Sequence, residues 1–454
     1  MQLTKDAGKT WNNVVKNIKD LPAFSWVSSI DASRYSEGTA YVTFDNHTQG
    51  DMNAYVYKTT DYGVTWTRLG GNTIKGYCHV VKEDLQNKNL LFVGSEFGLF
   101  LTLDGGANWA QLDHNNNIPN VAVRDIAIHP KTNDLALATH GRGIMIVDDI
   151  TPIRELTQEI LNSKFHAFAI KPYFYPEFGF DAISFGDDEA GFINPRSGFV
   201  FTYYLPKKHM GGDFYVDVLD EQNKKMCSKI ASKRKGINML EIDLQIKAPK
   251  MPTGPSAAYA GYYGAPLKAG NYKLKVVKDA DTTYVPFSII NNPNSEYTAA
   301  DKESRHALMM KIYKQCNDFT YSINSHDDVK AKLKALEKEF ASNEKVKKML
   351  SEYASKLDAQ RNLVVDSKEG MITDGNKYLR DKLSNLYIQV VSYQGKPSAT
   401  QFEKSEAFAK DIKDNETAYA AIDSKYMTAL NKELKAAGKP ELTVMTRAAF
   451  DELK

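Results

Sequence analysis

The chain has 454 residues, 42% of them hydrophobic and 25% charged, the balance of an ordinary soluble protein with length for about three domains. Its 58 Lys and Arg residues against 56 Asp and Glu leave a net charge of +2, which argues against a nucleic-acid binder and the basic surplus such proteins carry. No apolar run approaches the roughly 20 residues of a membrane-crossing helix, and three widely separated cysteines, Cys78, Cys227 and Cys316, offer neither a disulfide framework nor metal-ligand spacing.

The first recurring feature begins at Thr4-Lys-Asp-Ala-Gly-Lys-Thr-Trp11 and returns at Thr60-Asp-Tyr-Gly-Val-Thr-Trp66 and Thr102-Leu-Asp-Gly-Gly-Ala-Asn-Trp109. Each copy places an acid, a glycine two residues on and a tryptophan three further: Asp6, Gly8, Trp11; Asp61, Gly63, Trp66; Asp104, Gly106, Trp109. The acids are 55 and then 43 residues apart, a spacing that suits propeller blades of roughly 40–50 residues. The pattern predicts a hairpin corner. The carboxylate accepts backbone N–H groups, the glycine turns left-handed, and the tryptophan packs beneath the turn between neighbouring sheets.

Strand patterns follow in blade order at Trp26–Ile30, Thr39–Phe44, Ala54–Thr59 and Thr65–Leu69, then Tyr77–Val81, Leu90–Gly94, Gly98–Leu103 and Asn108–Leu112. A third set, Val123–Ile128, Asp134–Thr139 and Gly143–Val147, runs into Asp148-Asp149-Ile150-Thr151-Pro152, where the repeat has decayed. Residues 1–150 therefore read as the last blades of a propeller. A ring closes with 4–8 blades, so upstream blades are expected outside this chain; Met1-Gln2-Leu3 shows no leader pattern.

Residues 151–175 read as a connector. From 176 to 292, strand-like runs at Phe199–Leu205, Phe214–Leu219, Gly236–Leu244, Asn271–Val277 and Tyr284–Ile289 fit an immunoglobulin- or fibronectin-like β-sandwich, with Pro252–Pro266 as a long loop. From 293 to 454 the composition turns to Lys, Glu, Ala and Leu at helical spacing. Helices are predicted over Ala299–Ile323, Asp327–Phe340, Asn343–Leu357, Asp374–Val391 and Thr400–Ala437, as antiparallel hairpins of a bundle. Ser325-His326-Asp327 and Ser342-Asn343 read as N-caps and Gly438-Lys-Pro440 as a stop. The fold class is thus mainly β with a helical C-terminal part.

The repeated corner resembles the Asp box, or bacterial neuraminidase repeat, of sialidases, sortilin-type receptors and xyloglucan-cleaving hydrolases. Residues 26–155 resemble the end of the propeller in bacterial sortilin-like proteins described as glycosyl hydrolases. The segments that carry this are Trp26-Val-Ser-Ser-Ile-Asp-Ala-Ser33, Ala54-Tyr-Val-Tyr-Lys-Thr59, Leu90-Leu-Phe-Val-Gly-Ser-Glu-Phe-Gly98 and Ala138-Thr-His-Gly-Arg-Gly143, with Asn194-Pro-Arg-Ser-Gly198 before the sandwich strand. The resemblance implies a periplasmic or secreted protein that acts on or binds glycans, or a non-catalytic scaffold that holds a peptide as sortilin does. It implies no cofactor, metal, nucleic acid or membrane span.

Propeller topology ranks the candidate site residues. The loops joining the second and third strands of a blade share one face with the loops between blades, and the box turns lie on the other. These loops are Asp45–Asn53, Ser95–Phe97 and His140–Arg142, with Gly70–Gly76 and Asp113–Asn120 between blades. A glycosidase needs two carboxyls about 5–5.5 or 6.5–9.5 Å apart, for which Asp45, Asp51 and Glu96 are the candidates. His47, His140 and Arg142 are the ligand-binding candidates, and Asp113 and His114 lie on an adjoining loop. His140 and Arg142 also fit a structural role in which they tie their turn to Asp125 or Asp149. Only Arg124 and Arg142 fall near the channel, short of the arginine triad of a sialidase. His79 and His129 sit within strand patterns and read as core or edge histidines.

Overall fold

The computed structural model describes residues 1–112, 118–175, 198–366 and 377–453. It is mainly β-sheet, with open sheets and a helical C-terminal region. The chain divides into two units. One comprises Met1–Phe168 with Thr202–Lys208 and Arg234–Asn238, and the other comprises Ala169–Phe201, His209–Lys233 and Met239–Lys454. Asp113, His114 and most of the Asn194–Gly198 segment lie outside the described residues.

In the first unit, Trp26–Ala32, Ala40–Asn46, Asp51–Thr59 and Thr67–Leu69 form an antiparallel four-stranded meander. Cys78–Glu83, Leu91–Ser95, Gly98–Thr102 and Ala110–Leu112 form a second, and Val123–Ile128, Leu135–Thr139 and Ile144–Val147 form a three-stranded third. A small pairing, Gln2-Leu3 with Asn12-Asn13, precedes them. Strand boundaries fall within three residues of those the sequence predicts.

Apolar faces stack the three sheets in chain order. Tyr41, Val56 and Leu69 of the first sheet meet Val81, Val93 and Phe100 of the second. Val80, Phe92 and Leu99 on the other side of the second meet Val123, Ile126, Leu135 and Leu137 of the third. The middle sheet is covered on both faces, which is why its strands read as unbroken apolar runs (Leu91–Ser95 and Gly98–Thr102 are buried throughout). The third sheet alternates instead: Met145 and Val147 pack inward while Ile144 and Ile146 face solvent. Burying a side chain such as Phe92 or Leu137 contributes about 1.5–3 kcal/mol.

One end of the stack is tied by buried charge. Glu83 accepts from the Ser33 and Tyr41 hydroxyls at 2.8 and 3.1 Å. Asp31 accepts from Lys82 Nζ at 2.7 Å, and the Arg154 guanidinium holds the buried Asp84 carboxylate at 2.7 Å. Arg154 belongs to the short helix Thr151–Arg154 after the third sheet.

In the second unit, a five-stranded sheet has the order Tyr173–Phe174, Asp281–Ile290, Gly270–Lys278, Phe214–Leu219, Lys225–Ile230. The first pair is parallel and the rest are antiparallel. Strand Lys225–Ile230 was not predicted: it is an edge strand with no fully buried residue, so it lacks the alternation that marks its neighbours. Helices Ala299–Glu339, Glu344–Val364, Leu379–Ser392 and Ala399–Ala436 share a core built on Leu308, Ile312, Phe319, Leu350, Tyr387 and Leu430.

The predicted cap at Ser325–Asp327 is replaced by one continuous helix of 41 residues. Ser322, Ser325 and His326 are buried in it, and Ser325 Oγ and His326 Nδ1 bond the Ser322 carbonyl at 3.1 and 2.6 Å. His326 Nε2 meets Asp423 at 3.0 Å, and its ring stacks on Tyr419. These polar residues serve a helix–helix contact. The other end signals act as predicted. Asn343 Oδ1 accepts from Val346 N, and Gly438 takes φ +68° beyond the last long helix.

Candidate functional site

The three corners are built bond for bond alike. Asp6 accepts from Thr10 N at 2.8 Å, Thr10 Oγ1 at 2.7 Å and Thr4 Oγ1 at 2.8 Å. Asp61 does the same with Thr65 and Thr59, and Asp104 with Asn108 and Thr102. Gly8, Gly63 and Gly106 all have positive φ, and their carbonyls accept the indole N–H of Trp11, Trp66 and Trp109 at 3.0, 3.1 and 3.0 Å. Trp109 packs on the core between the first and second sheets, and Trp66 packs on the cluster of Val42, Phe44 and Tyr57. Trp11 departs from the expectation: it is 58% exposed.

At the opposite end of the sheets the strands carry a second repeated device. The first strand of each sheet holds one residue more than its partner, a β-bulge, at Ser28, His79 and Arg124. A bulge re-aims its side chain out of the pleat, and these three reach toward a neighbouring sheet. Ser28 Oγ donates to the Cys78 carbonyl at 2.8 Å and contacts Thr43 Oγ1 at 2.9 Å. Arg124 Nη1 lies 3.4 Å from His79 Nδ1.

Around this seam the loops bring the predicted residues together. His79 Nε2 lies 3.0 Å from Glu96 Oε2, and the Tyr77 hydroxyl interacts with the Glu96 carboxylate. The Tyr77 ring meets His79 edge-on at 5.0 Å and stacks on His47 at 4.5 Å. Asp45 Oδ1 accepts both His47 N at 2.9 Å and His47 Nδ1 at 2.7 Å. The result is one connected line, Asp45–His47–Tyr77–His79–Glu96, with Arg124 behind it. Trp26, which is 74% exposed and pairs across from Asp45, and exposed Phe97 flank it.

The electrostatics fix protonation at the centre. Burial pushes the Glu96 carboxyl up, but the hydrogen bonds of His79 and Tyr77 and the charges of His79 and Arg124 outweigh it and hold the group below its ordinary value. Burial, with Arg124 beside it, depresses His79, and the attraction of Glu96 only partly offsets this. At neutral pH the pair is therefore a carboxylate and a neutral imidazole, with Nε2–H donated to Glu96 and Nδ1 left to accept from Arg124. Such a carboxylate suits a base, a nucleophile or a hydroxyl acceptor, and it does not suit a general acid.

Of the candidates from sequence, Asp45, His47 and Glu96 join this line. Asp51 does not: Asn46 Nδ2, Asn53 N and Nδ2 and the Tyr55 hydroxyl all donate to its carboxylate, which closes its own turn. His140 and Arg142 are exposed on the corresponding loop of the third sheet, and their side chains make no hydrogen bond among the described residues. That turn is tied by backbone instead, with Thr139 N and Oγ1 donating to the Gly143 carbonyl and His140 N to that of Ala122. Asp125 accepts from the N–H of Ile126. His129 accepts from Thr132 in a surface turn. His79 and Tyr77 were missed as site residues. Their signal was two polar aromatics two residues apart at the head of a strand, facing the loop that holds Glu96.

No protein family matches the sequence, and no curated protein matches it. Among solved structures, the chain is similar to YCF48 bound to D1 peptide, at 16% identity over 32% of this chain and 44% of that one, with a TM-score of 0.24. It is similar to the Niastella koreensis GH74 enzyme at 12% identity over 58% and 38%, TM-score 0.24. It is also similar to PorZ, a surface component of the type-IX secretion system of Porphyromonas gingivalis, at 14% identity over 58% and 30%, TM-score 0.23. The chain covers less than half the length of each. No described helix is long and apolar enough to cross a membrane. Among the described residues, no group of three or more His, Cys, Asp or Glu is placed to hold a metal ion.

Proposed function

We propose that residues 1–150 are consecutive blades of an Asp-box propeller of the glycosyl-hydrolase-like kind, and that the seam of Ser28, His79 and Arg124 is the floor of its glycan site. The three matching acid–glycine–tryptophan corners and the stacked meanders support the blade reading. The exposed Ile144 and Ile146 on the third sheet continue the same apolar stacking surface, which supports further blades beyond those present here. In this reading residues 176–292 form an accessory sandwich and 293–454 a helical bundle, and the whole protein is periplasmic or secreted.

The observation that carries the glycan reading is the line of ionised Glu96, neutral His79 and cationic Arg124 between exposed Trp26 and Phe97. Sugar hydroxyls take charged and neutral hydrogen-bond partners together, and the apolar faces of pyranose rings stack on aromatic side chains. Hydrolysis would draw on the two loop carboxyls Asp45 and Glu96. The experiment is a glycan-binding array and a reducing-end assay on the protein, with Glu96→Gln and Arg124→Ala beside it. Binding lost in both variants supports the site. Release of reducing ends that is abolished in Glu96→Gln makes it catalytic. A non-catalytic, sortilin-like peptide site is the second reading, favoured by the hydrogen bond that His79 already donates to the Glu96 carboxylate; it predicts binding without turnover.

A further inference from the structure

The three sheets of the first unit share one register, and the third stops one strand short. In the first sheet the fourth strand pairs Val56 with Leu69, Tyr57 with Arg68 and Lys58 with Thr67. In the second it pairs Leu99 with Leu112, Phe100 with Gln111 and Leu101 with Ala110. The third strands end on Thr59, Thr102 and Val147, each opposite the first residue of its own second strand, Ala40, Leu91 and Leu135. Ile144, Met145 and Ile146 are therefore the counterparts of Leu99, Phe100 and Leu101. Among the described residues, no strand pairs with their outer side.

The chain leaves the track of a fourth strand just after Val147. Carried onward, the same alignment matches Asp149 to the corner acids Asp61 and Asp104, but puts Thr151 in place of the glycine and Arg154 in place of the tryptophan. Asp149 accepts from Thr151 N at 3.1 Å, and Thr151–Arg154 is helical, with Arg154 held on the buried Asp84. The counterparts of Thr67–Leu69 are residues 155–157, which run between this helix and the next, Gln158–Asn162. The backbone that closes the first two sheets is spent on helix ends here.

The edge left behind is open and unguarded. Thr139 N donates to the Gly143 carbonyl at 3.0 Å, and bonded pairs alternate along an antiparallel ladder. Met145 and Val147 thus turn their backbone groups to the inner strand, and Ile144 and Ile146 turn theirs outward. Exposed edges are ordinarily blunted by charge, proline or a bulge. Ile144-Met-Ile-Val147 has no charge and no proline, and its pairing with Leu135–Thr139 runs without a register shift. By contrast, the edge strand Lys225–Ile230 of the second unit carries Lys225 and Lys229.

We propose that the outer edge of Ile144–Val147 accepts an antiparallel β-strand with the chemistry of Thr67-Arg-Leu69 and Ala110-Gln-Leu112, two small or polar residues followed by leucine. The two complete sheets set its register. The leucine lies opposite Ile144, the middle residue opposite Met145 and the first opposite Ile146, with main-chain bonds to Ile144 and Ile146. The leucine then covers the exposed Ile144 side chain as a cross-strand pair. The corners of a second copy cannot supply this strand, because Asn12-Asn13, Thr67–Leu69 and Ala110–Leu112 are already paired in their own sheets. The inference uses the sheets as built and stands apart from the glycan reading.

The test is amide hydrogen exchange of the full chain, resolved to single residues, with the capped peptide Thr65-Trp-Thr-Arg-Leu-Gly70 at about 1 mM as the added strand. Without peptide, the amides of Ile144 and Ile146 exchange faster than those of Met145 and Val147. With it, Ile144 and Ile146 slow by about threefold or more. The same peptide with Thr67→Pro loses a bonding N–H and gives no slowing. In the protein, Ile146→Pro removes an outward N–H, which an edge strand tolerates, so the tryptophan-monitored unfolding transition stays in place while the peptide no longer slows Ile144. Ile146→Thr keeps the N–H and keeps the slowing at Ile144. Slow exchange at Ile144 and Ile146 in the chain alone, no slowing by the peptide, slowing that survives Ile146→Pro, or a dimer in sedimentation that Ile146→Pro dissolves overturns the proposal.

Discussion

Gly94 is where the stacking of the second and third sheets is least forgiving. It lies in strand Leu91–Ser95, and a Cβ built on it would stand 2.4 Å from the Val123 carbonyl oxygen, 2.8 Å from Val80 Cγ1 and 2.9 Å from Val123 Cγ1. Ordinary contact is about 3.5–4.0 Å, so Gly94→Ala must push the first strand of the third sheet away by about 1 Å. Its backbone is not left-handed, so the effect is steric alone. Overpacking of this kind costs about 1–3 kcal/mol, and contact with backbone oxygen rather than a side-chain tip puts the expectation at the upper end. The assay is internal to the sequence. All four tryptophans, Trp11, Trp26, Trp66 and Trp109, lie in the first unit, so denaturant unfolding followed by tryptophan fluorescence reports that unit. Gly211→Ala, in the second unit, meets nothing within 4 Å and leaves the fluorescence transition in place. A Gly94→Ala transition within about 0.5 kcal/mol of the native one would refute the packing argument.

Arg154→Leu leaves the buried Asp84 carboxylate without its cation and is expected to destabilise the first unit by about 3–5 kcal/mol in the same assay; a shift below 1 kcal/mol contradicts that role. The corner carboxylates predict acid sensitivity. Hydrogen bonds from Thr10 and Thr4 hold Asp6 down to about 2. At Asp104 slight burial pushes upward, and the bonds of Asn108 and Thr102 outweigh it. A folded-state value below the unfolded one near 3.9 means stability that is present above that pH and lost as pH falls toward 2. Asp6→Asn should flatten part of the decline between pH 4 and pH 2, and an unaltered slope argues against the bonding described. The His79 ring, depressed by burial and Arg124, is expected to titrate below the ordinary imidazole value of about 6.5 in ring-carbon NMR; Arg124→Ala should raise its midpoint, and a midpoint above 6.5 in the native protein contradicts a neutral His79.

The corners were legible because every bond in them is local. An acid, a glycine and a tryptophan within six residues close the turn without help from distant chain. Strand positions were legible for a related reason, since the turn residues punctuate them. The bulges at Ser28, His79 and Arg124 were not, because a bulge is a mismatch between two strands and neither strand carries it alone. The sequence therefore led to Glu96 through loop topology and passed over its partner one strand away. Asp51 was a candidate for the carboxyl pair, yet its four donors come from Asn46, Asn53 and Tyr55, a network whose closure depends on the register of the hairpin. Ser325-His326-Asp327 has the composition of a cap, and tertiary burial against Asp423 and Tyr419 kept the helix running through it. In the loop after Met251, the Gly, Pro and Ala residues announced irregular backbone but not which side chains would face water.

The claim on which the functional account rests is that one end of the sheets, from Asp45 to Arg124, receives a glycan. Trp26 stands at that end, exposed and paired across from Asp45. Titration of the protein with the best glycan from the array, followed by tryptophan fluorescence, should give a saturable change that disappears in Trp26→Phe and weakens at least tenfold in Arg124→Ala. A saturable change of the same size and midpoint in both variants would place the ligand elsewhere and contradict the account.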